Sequence, residues 1–211
     1  MKQLTAPKFA RRAGIVAALA SVAMMIVPAS GMAAAPVKFG SKLNPTVQPS
    51  NGSPGLACPM PGACTMVQNE AYGRPDGGHL APKTGTIKRI RVIAADPGSF
   101  RPQVATVRPS ATNTPGATKA KVTYTGPKLS YTGQTEANEE SGAYKVESFS
   151  VDIPVKKGQQ LALRGNISSM VRCSSGGPNT LLFSPPLRNG GPFQGNTDSD
   201  GCWILMEAVI R

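Results

Sequence analysis

The sequence predicts an all-β chain: a single antiparallel β-sandwich of about nine short strands, with a jelly roll as one way of winding it. Three observations predict this. Phe149, Val151 and Ile153 alternate with Ser148, Ser150 and Asp152, the period of two expected of a strand with one buried face. Short apolar runs recur between turns that draw on 23 Gly and 20 Pro residues. Beyond residue 35, no stretch shows the apolar period of an amphipathic helix.

The clearest unit is 146–166. Pro154 lacks an N–H for a ladder and is expected to close the first strand. Lys156-Lys157-Gly158 reads as a turn, with Gly158 free to take positive φ. Leu161 and Leu163 then share one face of the next strand, so the segment reads as two antiparallel strands joined by their turn.

In chain order, Lys2, Lys8, Arg11 and Arg12 precede an apolar run at 13–27 and small residues at 28–35. That is the pattern of an export leader, and the run is short for a membrane span. Residues 1–35 are therefore read as a signal peptide, with no membrane span after it and a secreted or cell-wall-associated product. Residues 36–57 contain Pro45, Pro49 and Pro54 among Asn, Ser and Gly, and read as a flexible linker. The sandwich domain is expected over 58–211.

Within that domain, 64–68 is the first candidate strand and 72–82 a Gly-rich loop holding the only histidine, His79, as a solvated side chain. Residues 85–95 form a strand in which Ile90, Val92 and Ala94 share a face. Ile87 is off that parity, which predicts a bulge near Lys88-Arg89. Strands follow at 104–108, 121–125 and 169–173, and Ser174-Ser175-Gly176-Gly177-Pro178 is expected to break the last of these. Leu181-Leu182-Phe183 is short and apolar, and 185–195 is a Pro/Gly loop. Residues 202–210 are apolar on both parities except for Glu207, as in a central strand covered on both faces, so Trp203 reads as core.

The four cysteines all follow the leader. An even count in an exported chain reads as disulfides, Cys58 with Cys64 around a Pro/Gly bend and Cys173 with Cys202. Zinc is disfavoured, because Cys58 and Cys64 are too widely spaced for a knuckle.

Chemistry-bearing motifs are sparse. There is no P-loop, no Gly-x-Ser-x-Gly and no His-Glu-x-x-His, and no cofactor is implied. Asn196, Asp198, Asp200, Gly201 and Glu207 have the spacing of an EF-hand loop, but an apolar strand follows where a helix is required, so no tight calcium site is expected; a calcium loop of another kind at Asp198 and Asp200 is the alternative to a metal-free turn. Glu136, Glu139 and Glu140 are a carboxylate cluster in a polar loop; a hydrolase would need two carboxyls facing each other across a sugar. Tyr124-Thr125-Gly126 and Tyr131-Thr132-Gly133 repeat, so Tyr124 and Tyr131 are candidate platforms for sugar rings or, more plainly, cross-strand aromatics.

Cys64–Gln68, Gly85-Thr86-Ile87 with Arg91-Val92, Val107-Arg108-Pro109, and the run from Pro154 to Leu163 resemble a group of exported β-sandwich proteins of actinobacterial type. Where such sequences often have Gly-Asp after the turn, this one has Gly158-Gln159. The resemblance implies fold and compartment, and no activity.

Removing the four leader cations from a formal net charge of +12 leaves +8, because the leader has no acidic residue. A basic exported domain is drawn to anionic surfaces, although these cations are scattered along the chain and predict a diffuse field with no specific pocket. The reading is a non-catalytic binding or cell-surface module for an anionic or polysaccharide wall or extracellular polymer, with no specific nucleic-acid partner. The alternatives are a carboxylate-based hydrolase, with its acids at Glu136–Glu140 or at Asp198 and Asp200, and a purely structural envelope protein.

Overall fold

The computed structural model describes residues 35–43, 58, 62–68, 78–112, 114–166 and 173–211; the side chains at 136, 139, 173–179, 202 and 203 are not described. All of these residues lie in the compact unit Ala34–Arg211. The leader expected over 1–35 falls outside the described residues up to 34, as does the linker from 44 to 57.

Among the described residues, twelve strands, rather than about nine, and one short helix make up this unit. They are β1 (Val37–Gly40), β2 (Cys64–Gln68), β3 (Gly85–Val92), β4 (Gly98–Arg108), β5 (Lys119–Thr125) and β6 (Leu129–Tyr131), then α1 (Glu136–Ser141). After the helix come β7 (Glu147–Val155), β8 (Gln160–Gly165), β9 (Cys173–Phe183), β10 (Gln194–Gly195), β11 (Asp198–Ile204) and β12 (Met206–Ile210).

One sheet has the order β1-β12-β3-β7; the other runs β10-β5-β4-β8-β2-β9-β11, with β6 paired to β4. All the ladders between strands are antiparallel. From β1 to β4 the chain changes sheet at every step, β4 and β5 form a hairpin, and it changes sheet again from β5 to β7 to β8. Its last strand, β12, returns to the centre of the four-stranded sheet. The facing orders β1-β12-β3-β7 and β2-β8-β4-β5 are a jelly-roll winding, with β9 and β11 added beyond β2.

Alternation builds the core between the sheets. Ile87, Ile90, Ile153, Met206 and Ile210 from one sheet pack with Met66, Phe100, Val104, Leu161 and Leu163 from the other, all buried. Each such side chain stabilises the fold by roughly 1.5–3 kcal/mol. Keeping both Ile87 and Ile90 buried requires the register shift seen between Ile87 and Arg89, at the bulge that parity predicts.

Several sequence expectations change. The segment 146–166 is not a hairpin: β7 pairs with β3, whereas β8 pairs with β4 and β2. The turn between them crosses from sheet to sheet, held by Gly158 N donating to Ala81 O and Ala81 N donating to Gln159 O, each at 2.8 Å. Pro154 does not close β7, because β7 is an edge strand and tolerates a missing donor. The start of the expected linker is β1, whose Phe39 is buried in the core.

The Ser-Ser-Gly-Gly-Pro run does not end a strand either. It lies within β9, where the register with β11 shifts from Asp200 opposite Thr180 to Cys202 opposite Ser175. Gly176, Gly177 and Pro178 fall in that bulge, where no ladder bond is needed. The apolar run 202–210 is two strands: it leaves the eight-stranded sheet after Ile204 and enters the four-stranded one at Met206. The break falls at buried Leu205, which packs with Ile93 and Tyr144.

Candidate functional site

The eight-stranded sheet has a second apolar face. Val67, Ala105, Val122, Ala162, Leu181 and Phe183 form it, and Leu187 from the segment 184–193 covers it. Leu187 is tethered at both backbone groups. Its N–H donates to Thr65 Oγ1 at 3.0 Å, and its carbonyl accepts from Gln103 Nε2 at 3.3 Å. The segment then passes along the edge of β5, where Gly190 N donates to Val122 O at 2.9 Å, and β10 pairs with Ala120 and Lys119. This path delivers Phe193 to the end of the sandwich.

Phe193 lies under two cations. The Arg108 guanidinium carbon is 3.8 Å from the ring centroid, and Lys121 Nζ is 4.9 Å from it. Each such interaction contributes roughly 0.5–1 kcal/mol at an exposed site. Together with Tyr124 and Lys156, these residues line a cleft of about 700 Å³. Thr106, Thr123 and Gln159 supply neutral polar groups to it; Gln159 Nε2 donates to Thr123 Oγ1 at 2.9 Å, and Gln159 Oε1 accepts from Lys156 N at 2.8 Å.

Strict alternation would put Lys121 and Tyr124 on opposite faces of β5. The register shifts between Val104 opposite Tyr124 and Ala105 opposite Val122, which leaves Thr123 as the extra residue of a bulge. The bulge turns Tyr124 to the core side with Val104, so that it shares the cleft with Lys121. Among the described residues no carboxylate lines this cleft, and none forms an ion pair with Arg108, Lys121 or Lys156.

A second basic surface covers the outer face of the four-stranded sheet. Lys38, Lys88, Arg89, Arg91 and Arg211 line a hollow of about 690 Å³ there. It is partly neutralised: buried Glu207 pairs with Arg91 and, at 3.5 Å, with Lys38, and Asp152 pairs with Lys88. Cations scattered in sequence are thus gathered in space, contrary to the expectation of a diffuse field alone.

The sequence candidates fare unequally. Tyr124 lines the cleft. Tyr131 is 3% exposed, its ring 6.0 Å from that of Phe100, so it is a core residue and the two tyrosines make no shared platform. Its Thr132-Gly133 neighbours donate backbone N–H groups to Glu147 Oε1 at 2.9 Å each. Gly133 has φ +76°, and a Cβ there would meet Ala95 O at 2.3 Å, so the second copy of the repeat is a structural corner. His79 is buried, not solvated.

Glu136, Glu139 and Glu140 belong to α1, which is capped by Thr135 and Asn138; of the three side chains only that of Glu140 is described, and it does not line the cleft. The EF-hand spacing is spread over separate partners: Asn196 Oδ1 accepts from Thr118 N at 3.2 Å, and Glu207 pairs with Arg91. Cys58 and Cys64 form a disulfide with Cα atoms 5.6 Å apart. The side chains of Cys173, Cys202 and Trp203 lie outside the described residues, although the backbone register puts Cys173 opposite Ile204 and Cys202 opposite Ser175. Sequence reasoning missed Phe193, which sits in a Pro/Gly loop without period; its one signal was an aromatic side chain in an otherwise polar turn.

Comparison of the chain with protein-family models, with curated proteins and with solved structures found no match.

Proposed function

We propose that this domain is a non-catalytic module that binds an acidic polysaccharide or related anionic polymer of the cell wall or extracellular space. The observation that carries this reading is the pair Arg108 and Lys121 held over one Phe193 ring, in a cleft shared with Tyr124 and Lys156. Rings bury the apolar face of a sugar, and cations beside them attract its acidic substituents. Among the described residues no carboxylate lines the cleft, so the facing carboxyl pair of a glycoside hydrolase is not found there, which favours binding over hydrolysis. The export leader read at 1–35 supports placement outside the cytoplasm.

The test is retention on an acidic and on a neutral polysaccharide, at low and high salt. Binding to the acidic polymer that weakens with salt without vanishing supports the proposal, because exposed charges are screened over roughly 8 Å at physiological ionic strength while ring stacking is not. Equal retention on both polymers, or turnover of either, contradicts it.

A further inference from the structure

Arg101 and Arg164 stand directly opposite each other on the neighbouring strands β4 and β8. Both are exposed, and alternation puts both on the face opposite the core residues Phe100 and Leu163. Like charges at directly paired positions repel and weaken the sheet that carries them. Lys128, from the segment between β5 and β6, adds a third cation. The three line one cleft of about 390 Å³ with Ser99, Asn166 and Ala63, the last beside the Cys58–Cys64 disulfide.

The frame of this cleft is fixed. Arg101 Nη1 donates to Gly126 O at 3.3 Å, Cys64 pairs with Gly165 across β2 and β8, and Cys58 Sγ lies 3.5 Å from Gly165 O. Among the described residues no carboxylate pairs with Arg101, Lys128 or Arg164. Among the described residues this arginine pair and the lysine beside it have no counter-charge, and an anion seated between them would offset their repulsion.

We propose that Arg101, Lys128 and Arg164 form a binding site for a phosphoryl group, carried on an extracellular polymer or supplied as free phosphate. Two guanidinium forks and an ammonium offer donors from three directions, which suits a tetrahedral oxyanion better than a planar carboxylate. A phosphomonoester carries about 1.5 to 2 negative charges at neutral pH, closer to the three cations than the single charge of a carboxylate. The site shares no lining residue with the Phe193 cleft, so the two can be tested separately.

The experiment measures thermal melting and calorimetric titration of the purified chain with inorganic phosphate and with acetate, for the native sequence, Arg164→Gln, Lys128→Gln and Phe193→Ala. Phosphate is expected to raise the melting temperature of the native protein and of Phe193→Ala. Arg164→Gln is expected to melt no lower than the native protein without phosphate, since a repulsion has been removed, and to bind phosphate at least tenfold more weakly. Lys128→Gln is expected to weaken it less. A phosphorylated polysaccharide, before and after phosphatase treatment, distinguishes the sources: binding lost on dephosphorylation assigns the polymer, and binding of free phosphate alone assigns the small anion. An unchanged melting temperature in phosphate, an equal response to acetate, or an equal response in Arg164→Gln overturns the proposal.

Discussion

The amide of Gly158 donates to the carbonyl of Ala81 at 2.8 Å, which ties the turn after β7 to the segment before β3 and turns an apparent hairpin into a crossing between sheets. Gly158 has φ +82°, with open space where a Cβ would stand. Gly158→Val is therefore expected to act through backbone strain alone, costing about 1–2 kcal/mol in urea unfolding. Lys157→Ala, one residue earlier and exposed, is expected to change stability by less than about 0.5 kcal/mol. Equal effects of the two changes would show that the turn conformation does not matter.

Leu187 closes the second apolar face of the eight-stranded sheet and starts the path that ends at Phe193. Leu187→Ala should lower stability by about 2–5 kcal/mol, the usual range for such a truncation in a core. It should also weaken binding at the Phe193 cleft, whereas Ile153→Val in the main core should leave binding unchanged. Chemical denaturation and polymer retention on the same preparations check both statements.

Glu207 is 7% exposed and holds Arg91 and Lys38 on the outer face of its sheet. Glu207→Gln removes the negative charge that pairs with two cations, leaving only an amide oxygen in its place. It is expected to cost about 1.5–3 kcal/mol, the range for a hydrogen bond to a charged group, with the partial exposure of Arg91 favouring the lower end. A double-mutant cycle with Arg91→Gln that returns no coupling would contradict this account of the pair.

How much of this was legible in the sequence follows from the range of the interactions. Alternation in β7 and the off-parity Ile87 are local, and both the strands and the bulge between Ile87 and Arg89 could be read. Which strands pair is not local: nothing in Leu161 and Leu163 says that β8 joins β4 and β2 instead of β7. Gly176-Gly177-Pro178 looked like a break because a bulge in a long strand uses the same residues as a turn. Tyr124 was legible as an aromatic by a turn; its sharing a face with Lys121 depends on the bulge at Thr123, and Phe193 arrives from a loop 69 residues further along.

The Cys58–Cys64 disulfide closes a short loop beside β2. In the chain-entropy model its removal costs roughly 2 kcal/mol, so Cys58→Ala/Cys64→Ala should shift the urea midpoint down while leaving the fold intact. Cys173 lies two residues along β9 from Ser175, the position opposite Cys202. Bridging Cys173 to Cys202 across that two-residue offset needs a local shift of the backbone; peptide mapping without reductant is expected to link Cys58 to Cys64, and a link from Cys173 or Cys202 to either of them contradicts this.

The central claim is that a defined cleft, and not charge in general, holds the polymer. The most direct measurement is the affinity of Phe193→Ala for an acidic oligosaccharide at high salt, beside Arg89→Gln on the basic outer face of the four-stranded sheet. The account predicts at least a tenfold loss for Phe193→Ala, because removing the ring takes away the group over which Arg108 and Lys121 are held together. Tyr124→Ala should also bind more weakly, and Arg89→Gln should stay within about twofold of the native protein. Native affinity in Phe193→Ala, with the loss appearing in Arg89→Gln instead, would contradict it.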